Sequence, residues 1–397
     1  MAGSTAGMSR TQRRAVRWLV AAAIAAYLPI IGAPLRGWFD FAAYWAAGHF
    51  ALTPQVLDIG VVVRYEVDHG LPPVPFVYPP GIALLFAPLA QLPFAVAALV
   101  HVAIAVAALI VAARLWADLV GIPRGWATLG ALAWGPAAAS VISGQNATIV
   151  LLLAVLVARG LALAPQPGRL PGLRTGILAG LAMYKPQLGA PVTALAAVRG
   201  GRLVLAGIGV AALIQYVAGI IATGGDPWWP RAWLSTIGAY ATADYEANGW
   251  QAISLPSIGA RIGVLTGSVV PVVIGWAAAI GFVAWAVRGI RRMPVVGAIG
   301  LATAAGLVID PHAWVYDATL ALPAIGILAA AAARRGWPRG DRIALAAAFA
   351  IGSLWPLGGF VGTTFVPLVV VATPIALRRA ASVELASAPA AAPSSGA

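Results

Sequence analysis

The chain has 397 residues, 61% of them hydrophobic and only 9% charged, with a mean hydropathy of +0.89. Soluble domains carry about 25% charged residues, so a water-soluble globular protein is excluded. With 45 Gly and 30 Pro, the chain also stays below the composition of low-complexity disorder.

What remains is a polytopic helical membrane protein. An outer-membrane barrel would alternate in short segments, whereas Ile82–Ala113 is apolar without alternation. The net charge of +13 comes from 24 arginines and a single lysine against twelve acids. In a soluble protein that balance would point to nucleic acid. Here the arginines gather at the ends of apolar runs, at 10/13/14/17, 199/202, 288/291/292, 334/335/339/342 and 378/379. That is the positive-inside pattern, with attraction to anionic head groups added. The absence of cysteine rules out disulfides, thiolate metal sites and Cys nucleophiles.

In chain order, residues 1–16 read as a basic cytoplasmic N-terminus and Arg17–Ala33 as the first span. Its basic flank also fits a signal peptide, but the apolar character of the rest favours an uncleaved helix. The loop 34–77 holds four acids, Asp40, Asp58, Glu66 and Asp68, with His49 and His69, and lies opposite the N-terminal arginines. Within it Phe39–Leu52 reads as a helix lying in the interface, where Trp and Tyr are favoured. Apolar runs follow at 78–92, 93–115, 125–142, 147–163, 175–198 and 203–223. After the polar loop 224–259 come runs at 262–287, 294–309, 318–333, 343–357 and 361–377, and then a small-residue tail, 380–397, expected to be disordered. The expectation is one all-α transmembrane domain over 17–379 with about twelve spans. This count leaves Arg114/Arg124 and Arg159/Arg169/Arg174 on the wrong side, so one crossing between 93 and 175 is expected to be re-entrant or miscounted.

Several residues carry chemistry. Asp40 is followed four residues on by Tyr44, which a helix places on the same face. Such a carboxylate suits a general base for a hydroxyl, and equally a helix cap. Phe76–Gly81 (FVYPPG) ends the first loop with Tyr78 before a rigid Pro pair. Gly144–Asn146 (GQN) interrupts two apolar runs, and Gln145 can serve a ligand or join helices. Lys185, the one lysine, sits inside an apolar run beside Pro186, which should kink it. It needs a polar partner, a phosphate, or a route to the head groups. Asp310, His312, Tyr316 and Asp317 form the densest polar group at a span end, whether as a site or as a capped turn. His101, alone in an apolar run, reads as structural. No metal, P-loop or dinucleotide motif is present, so the energy of any reaction must arrive in the substrate.

This ordered set (DFAAYW, FVYPPG, GQN, AGLAMYKPQ, DPHAWVYD) resembles glycosyltransferase family 87, the DUF2029 group of GT-C enzymes, over most of 17–377. The resemblance implies a GT-C bundle with interfacial helices in a large first outer loop. It implies a multi-pass protein of a bacterial inner membrane, with its cavity facing the periplasm or exterior. It further implies a polyprenyl-phosphate-mannose-dependent α-mannosyltransferase-like activity on a glycolipid or glycan acceptor, without nucleic acid. By position, Asp40 matches the catalytic base, with Tyr44 beside it, and His312 the histidine near the donor phosphate. Tyr78, Gln145 and Lys185 fall at family-typical positions, and Tyr316 and Asp317 complete the candidate substrate contacts. Lys185, Arg231 and Arg261 join His312 as candidate phosphate cations. No cofactor is implied; a divalent metal on Asp40 stays open. The competing readings are a transporter or flippase, which calls for ionisable residues on broken mid-membrane helices, and a non-catalytic scaffold.

Overall fold

The computed structural model describes residues 10–27, 39–162, 169–353 and 366–387. The outer end of the first expected span, the Gly37–Trp38 approach to Asp40 and residues 388–397 lie outside these. Among the described residues the chain is helical throughout, with one isolated antiparallel bridge between Ala252 and Trp314.

The N-terminal half contains α1 (Arg10–Tyr27), α2 (Phe39–His49), α3 (Ile59–Asp68), α4 (Ala83–Ala90), α5 (Phe94–Val120), α6 (Arg124–Ala133), α7 (Gly135–Ser143) and α8 (Ala147–Ala162). Next come α9 (Arg169–Leu181), α10 (Pro186–Arg199), α11 (Gly201–Ala222), α12 (Trp229–Asn248), α13 (Leu255–Thr266), α14 (Val270–Ile290) and α15 (Val295–Ile309). The last three are α16 (Leu322–Arg334), α17 (Arg339–Gly352) and α18 (Val366–Ser387). The final helix continues past Arg378–Arg379 to Ser387, into residues read from the sequence as the start of the tail. Alanines in that stretch sustain it.

Among the described residues, four helical stretches are long and apolar enough to cross a membrane: α5, α11, α14 and Val315–Arg334. The first three turn Leu99, Ile104, Leu213, Ile214, Ile274 and Ile280 outward, as a lipid-facing helix does. Helix α15 is instead buried on all sides from Ala298 to Val308, and an all-round apolar helix is a core element.

Three expected spans differ from the sequence reading; of these, the run 125–142 is broken at Trp134 into α6 and α7. Residues 78–92 do not form a crossing. A 3-10 turn at Pro80–Ile82 leads into α4, whose eight residues reach about 12 Å, well short of a bilayer's roughly 30 Å. Helix α4 packs on α2 so closely that a Cβ at Gly48 would lie 2.7 Å from the Phe86 backbone. Trp45 Nε1 donates to Leu92 O at 3.1 Å, holding the end of the segment at the same level. Residues 175–198 form two helices, α9 and α10, joined by the 3-10 turn Ala182–Tyr184. They run antiparallel, since Thr193 Oγ1 donates to Ala179 O at 2.6 Å and a Cβ at Gly189 would meet Ala182 O. Pro186 opens α10 at its first position, where its missing N–H costs nothing.

One crossing is lost and one gained, which moves Arg114, Arg124, Arg159, Arg169 and Arg174 to the same side as the other arginine clusters. Arg124 and Arg159 meet Asp118 there, and Arg199 Nη2 donates to Ile290 O at 2.7 Å. Helix α2 departs from the expected interfacial placement in one respect: Phe41–Ala47 are buried on every face. The aromatic loop and α4 enclose it, which fits its lack of a polar face.

Candidate active site

The reversals opposite the arginine tips bring the polar residues together. Asp40 lies in the first turn of α2, where the helix dipole favours a carboxylate. Tyr44, one turn on, is fully buried against Phe86, with ring centroids 4.7 Å apart. The GQN turn follows α7. Gly144 adopts φ +77° there, and a Cβ would stand 2.5 Å from Phe41 Cβ, so glycine is required at this contact between α2 and the turn. His101 of α5 stacks on Phe41 at 4.9 Å and lies against the Gly144 and Gln145 backbone. Its structural role, expected from sequence, is to support this turn.

Gln145 is the hub. Its Oε1 accepts from Tyr78 OH at 3.0 Å, Tyr44 OH at 3.3 Å and Lys185 Nζ at 3.4 Å. With the carbonyl oxygen so occupied, its amide N–H groups are left to donate, and Gln145 and Ser143 both lie close enough to favour the charged form of Asp40. Asn146 Nδ2 donates to Tyr44 OH at 3.0 Å, and Tyr184 OH to Asn146 O at 3.1 Å. Burial pushes the Asp40 carboxyl up to about 6, against Gln145, the Lys185 charge and Ser143, which favour the charged form. A carboxyl at that level is ionised at neutral pH and basic enough to take a proton.

Lys185 and Asp317 form a buried ion pair at 2.7 Å, with side chains 2% and 1% exposed. Asp317 Oδ2 accepts from Trp314 N at 3.0 Å, and Lys185 Nζ lies 5.1 Å from the centre of the Tyr316 ring. The partner that the sequence demanded for Lys185 is therefore Asp317.

His312 stands on the 310–314 reversal. Asp310 Oδ1 accepts from His312 N at 2.7 Å, Ser254 Oγ donates to Asp310 O, and Ile253 N donates to Ala313 O at 3.1 Å. Burial, reinforced by the Asp317 charge, pushes the Asp310 carboxyl up to about 8. The His312 ring packs on Trp314 at 4.6 Å, and its Nε2 lies 3.1 Å from Asp244 Oδ2. Burial lowers its affinity for a proton, and the Asp244 charge opposes that. Arg231 is exposed on α12, and Arg261 Nη1 donates to Trp250 O at 3.4 Å.

The candidates from the sequence, Arg231 and Arg261 apart, thus fall in one neighbourhood. Asp40, Tyr44, Tyr78, Gln145, Lys185, Tyr316 and Asp317 form one network, with His312 beside it. Sequence reasoning missed Asn146, Tyr184 and Asp244. The Tyr240–Asp244–Asn248 spacing of four was a local signal for the last, since it puts three polar groups on one helix face. Among the described residues, no three His, Asp or Glu side chains gather as a metal site would require.

A curated-protein search and a solved-structure search each return no match. The family model for glycosyltransferase family 87 matches residues 76–316, a stretch that contains Tyr78, Gln145, Lys185, His312 and Tyr316. That match covers more than half of the chain and joins the first-loop end, the GQN turn and the late reversal that the structure brings together, and the chain belongs to glycosyltransferase family 87.

Proposed function

We propose that this membrane glycosyltransferase moves a hexose, mannose in our reading, from a polyprenyl-phosphate donor to a hydroxyl of a glycolipid or glycan, with Asp40 as the base. The observation that carries the proposal is the placement of Asp40: a carboxylate in the first turn of α2, one turn before the Tyr44 that bonds to Gln145, in the cluster that joins the family's motifs.

In this mechanism the acceptor O–H gives its proton to Asp40 while its oxygen attacks the anomeric carbon. The bond from that carbon to the phosphate oxygen breaks, and polyprenyl phosphate leaves with the electron pair. A single displacement inverts the anomeric centre. Charge develops on the leaving phosphate, and a donor aimed at it stabilises the transition state. His312 is the group we assign to that contact. Lys185, already neutralised by Asp317, we assign to holding Gln145.

The membrane side follows from charge. The polar cluster and the arginine tips occupy opposite ends of α5, α8, α10, α15 and α16, and the positive-inside rule puts the cluster on the outer face of a bacterial inner membrane. The transporter reading is weaker, because Lys185 and Asp317 sit at a chain reversal and not midway along a crossing.

The test is Asp40→Asn, assayed in membrane vesicles with radiolabelled polyprenyl-phosphate mannose. The wild type transfers label, and the variant at equal level loses about 100-fold or more. An unaffected variant removes Asp40 as base, and failure of the wild type to transfer removes the donor.

A further inference from the structure

We propose that Asp244 is a positioning residue, whose carboxylate fixes the His312 ring through Nε2 and so makes Nδ1 the nitrogen that meets the donor phosphate. Only the identity of what Nδ1 meets rests on the function proposed above.

Asp244 lies on α12, which is tied across the site. Trp233 Nε1 donates to Val77 O at 3.1 Å, and Tyr245 OH donates to Pro311 O. The helix therefore bridges the end of the first loop and the late reversal. Asp244 is 3% exposed, an expensive place for a carboxylate without a purpose. Its two oxygens are used differently. Oδ1 accepts from Tyr240 OH at 3.0 Å and from Asn248 Nδ2 at 2.6 Å, one turn to either side. Oδ2 is buried with no hydrogen bond among the described residues and lies 3.1 Å from His312 Nε2, within ion-pair distance.

That arrangement anchors one carboxylate oxygen and aims the other. Two donors fix the first oxygen; the second, as part of a carboxylate, can only accept, and it favours the Nε2–H form of the imidazole. A carboxylate that orients a functional histidine in this way also raises its basicity. Asp310 holds the other end of the residue through the His312 N–H at 2.7 Å. Backbone and ring are thus both fixed, yet the side chain remains 33% exposed. Among the described residues Nδ1 has no hydrogen-bond partner, which leaves it for a ligand. The groups that face His312 are Asp244 and Tyr245 on α12, Asp310 and Trp314 on its own segment, and, through charge, Asp317 and Lys185. An anion at Nδ1 would meet a doubly protonated ring whose charge Asp244 already supports.

The decisive variant is Asp244→Asn. With Tyr240 and Asn248 kept in their present donor roles, the amide oxygen faces them and the NH2 faces Nε2. The neutral ring then switches to the Nδ1–H form, and its pKa falls by about 1 to 3 pH units with loss of the opposite charge.

Nitrogen-15 NMR of histidine-labelled full-length protein in nanodiscs, with His312→Gln for assignment, reads both quantities without any substrate. We expect Nε2–H in the wild type and Nδ1–H with a lower pKa in the variant. The wild-type tautomer alone is a test, should the variant not fold. A neutral Nδ1–H ring in the wild type, or an unchanged ring in the variant, overturns the proposal. In the transfer assay, the pH profile of Asp244→Asn should move as a whole to lower pH. His312 loses its proton earlier, and Asp40 loses a neighbouring negative charge that raises its pKa. The donor KM should rise about tenfold at neutral pH, as the bond from Nδ1 passes from a charged to a neutral one. A lower rate with an unmoved profile and donor KM would assign Asp244 a structural role and overturn the positioning role. NMR as expected with no transfer from the polyprenyl-phosphate donor would uphold the dyad and remove the donor instead.

Discussion

Replacing Lys185 by Met leaves Asp317 as a buried anion without its cation. The pair is 2.7 Å apart and almost fully enclosed. Removing one member of such a pair costs about 3–5 kcal/mol, whereas replacing both is often close to neutral. Lys185→Met and Asp317→Asn should each melt several degrees low in detergent. The double variant should recover most of the loss, with a coupling of about 3 kcal/mol. Asparagine keeps an oxygen for the Trp314 N–H, which Asp317 Oδ2 now accepts at 3.0 Å, so the cycle isolates the ion pair. The same proteins separate two roles for the lysine. A lysine that only holds Gln145, 3.4 Å away, leaves the donor KM of the double variant within about threefold, as one weak contact would. A lysine that grips the donor phosphate contributes about 1.5–3 kcal/mol, and its loss raises that KM about 10- to 150-fold. A double variant that melts as low as the two single losses added together would refute the coupled pair. A KM rise in the second range would refute the assignment of Lys185 as an anchor.

Two further outcomes follow from burial and close packing. Glu66 on α3 is fully enclosed; one oxygen accepts from Val74 N at 2.7 Å, the other has no hydrogen bond, and burial pushes the carboxyl up to about 8. A raised carboxyl favours the folded state while protonated and loses that advantage as pH rises through its folded value. Glu66→Gln should therefore melt like the wild type at pH 5 and higher than it at pH 9; an advantage independent of pH would contradict this. Helices α9 and α11 run parallel with Gly176 against Gly207, where a Cβ at Gly176 would lie 2.0 Å from Val204 O. Gly176→Ala should destabilise by about 1–3 kcal/mol, while Gly209→Ala, which meets nothing within 4 Å, should be neutral or slightly stabilising on chemical denaturation.

The parts of the site legible in the sequence were those with local signatures. Asp40 and Tyr44 share a helix face by their spacing, and Lys185 stood out as the one lysine in an apolar run. Its need for a partner was also legible, though not which of several acids would meet it. Asp244 was hidden for a different reason. Helix α12 carries polar residues on more than one side, and only the tertiary ties to Val77, Pro311 and His312 determine which side turns inward. The same limit applied to α2. Its aromatic and small residues suit a membrane interface or a protein interior equally, and α4 decided between them by closing over Gly48.

The arginines resolve the one contradiction in the chain-order reading. An apolar run of fifteen residues at 78–92 passes for a crossing by composition, and counting it inverts every helix up to the next error. Residues 175–198 then pass for one helix, since hydropathy does not register a reversal at Lys185–Pro186. The two errors cancel beyond residue 200, so the later arginines gave no warning, and only those at 114, 124, 159, 169 and 174 stood on the wrong side. Charge and not hydropathy held the correct information there: Arg124 and Arg159 converge on Asp118 at the end of α5 away from Phe41 and His101. With that end fixed, the GQN turn and Lys185 must share the opposite end with Asp40 and His312. In a counted topology they would face opposite sides of the bilayer, and no single active site could contain them.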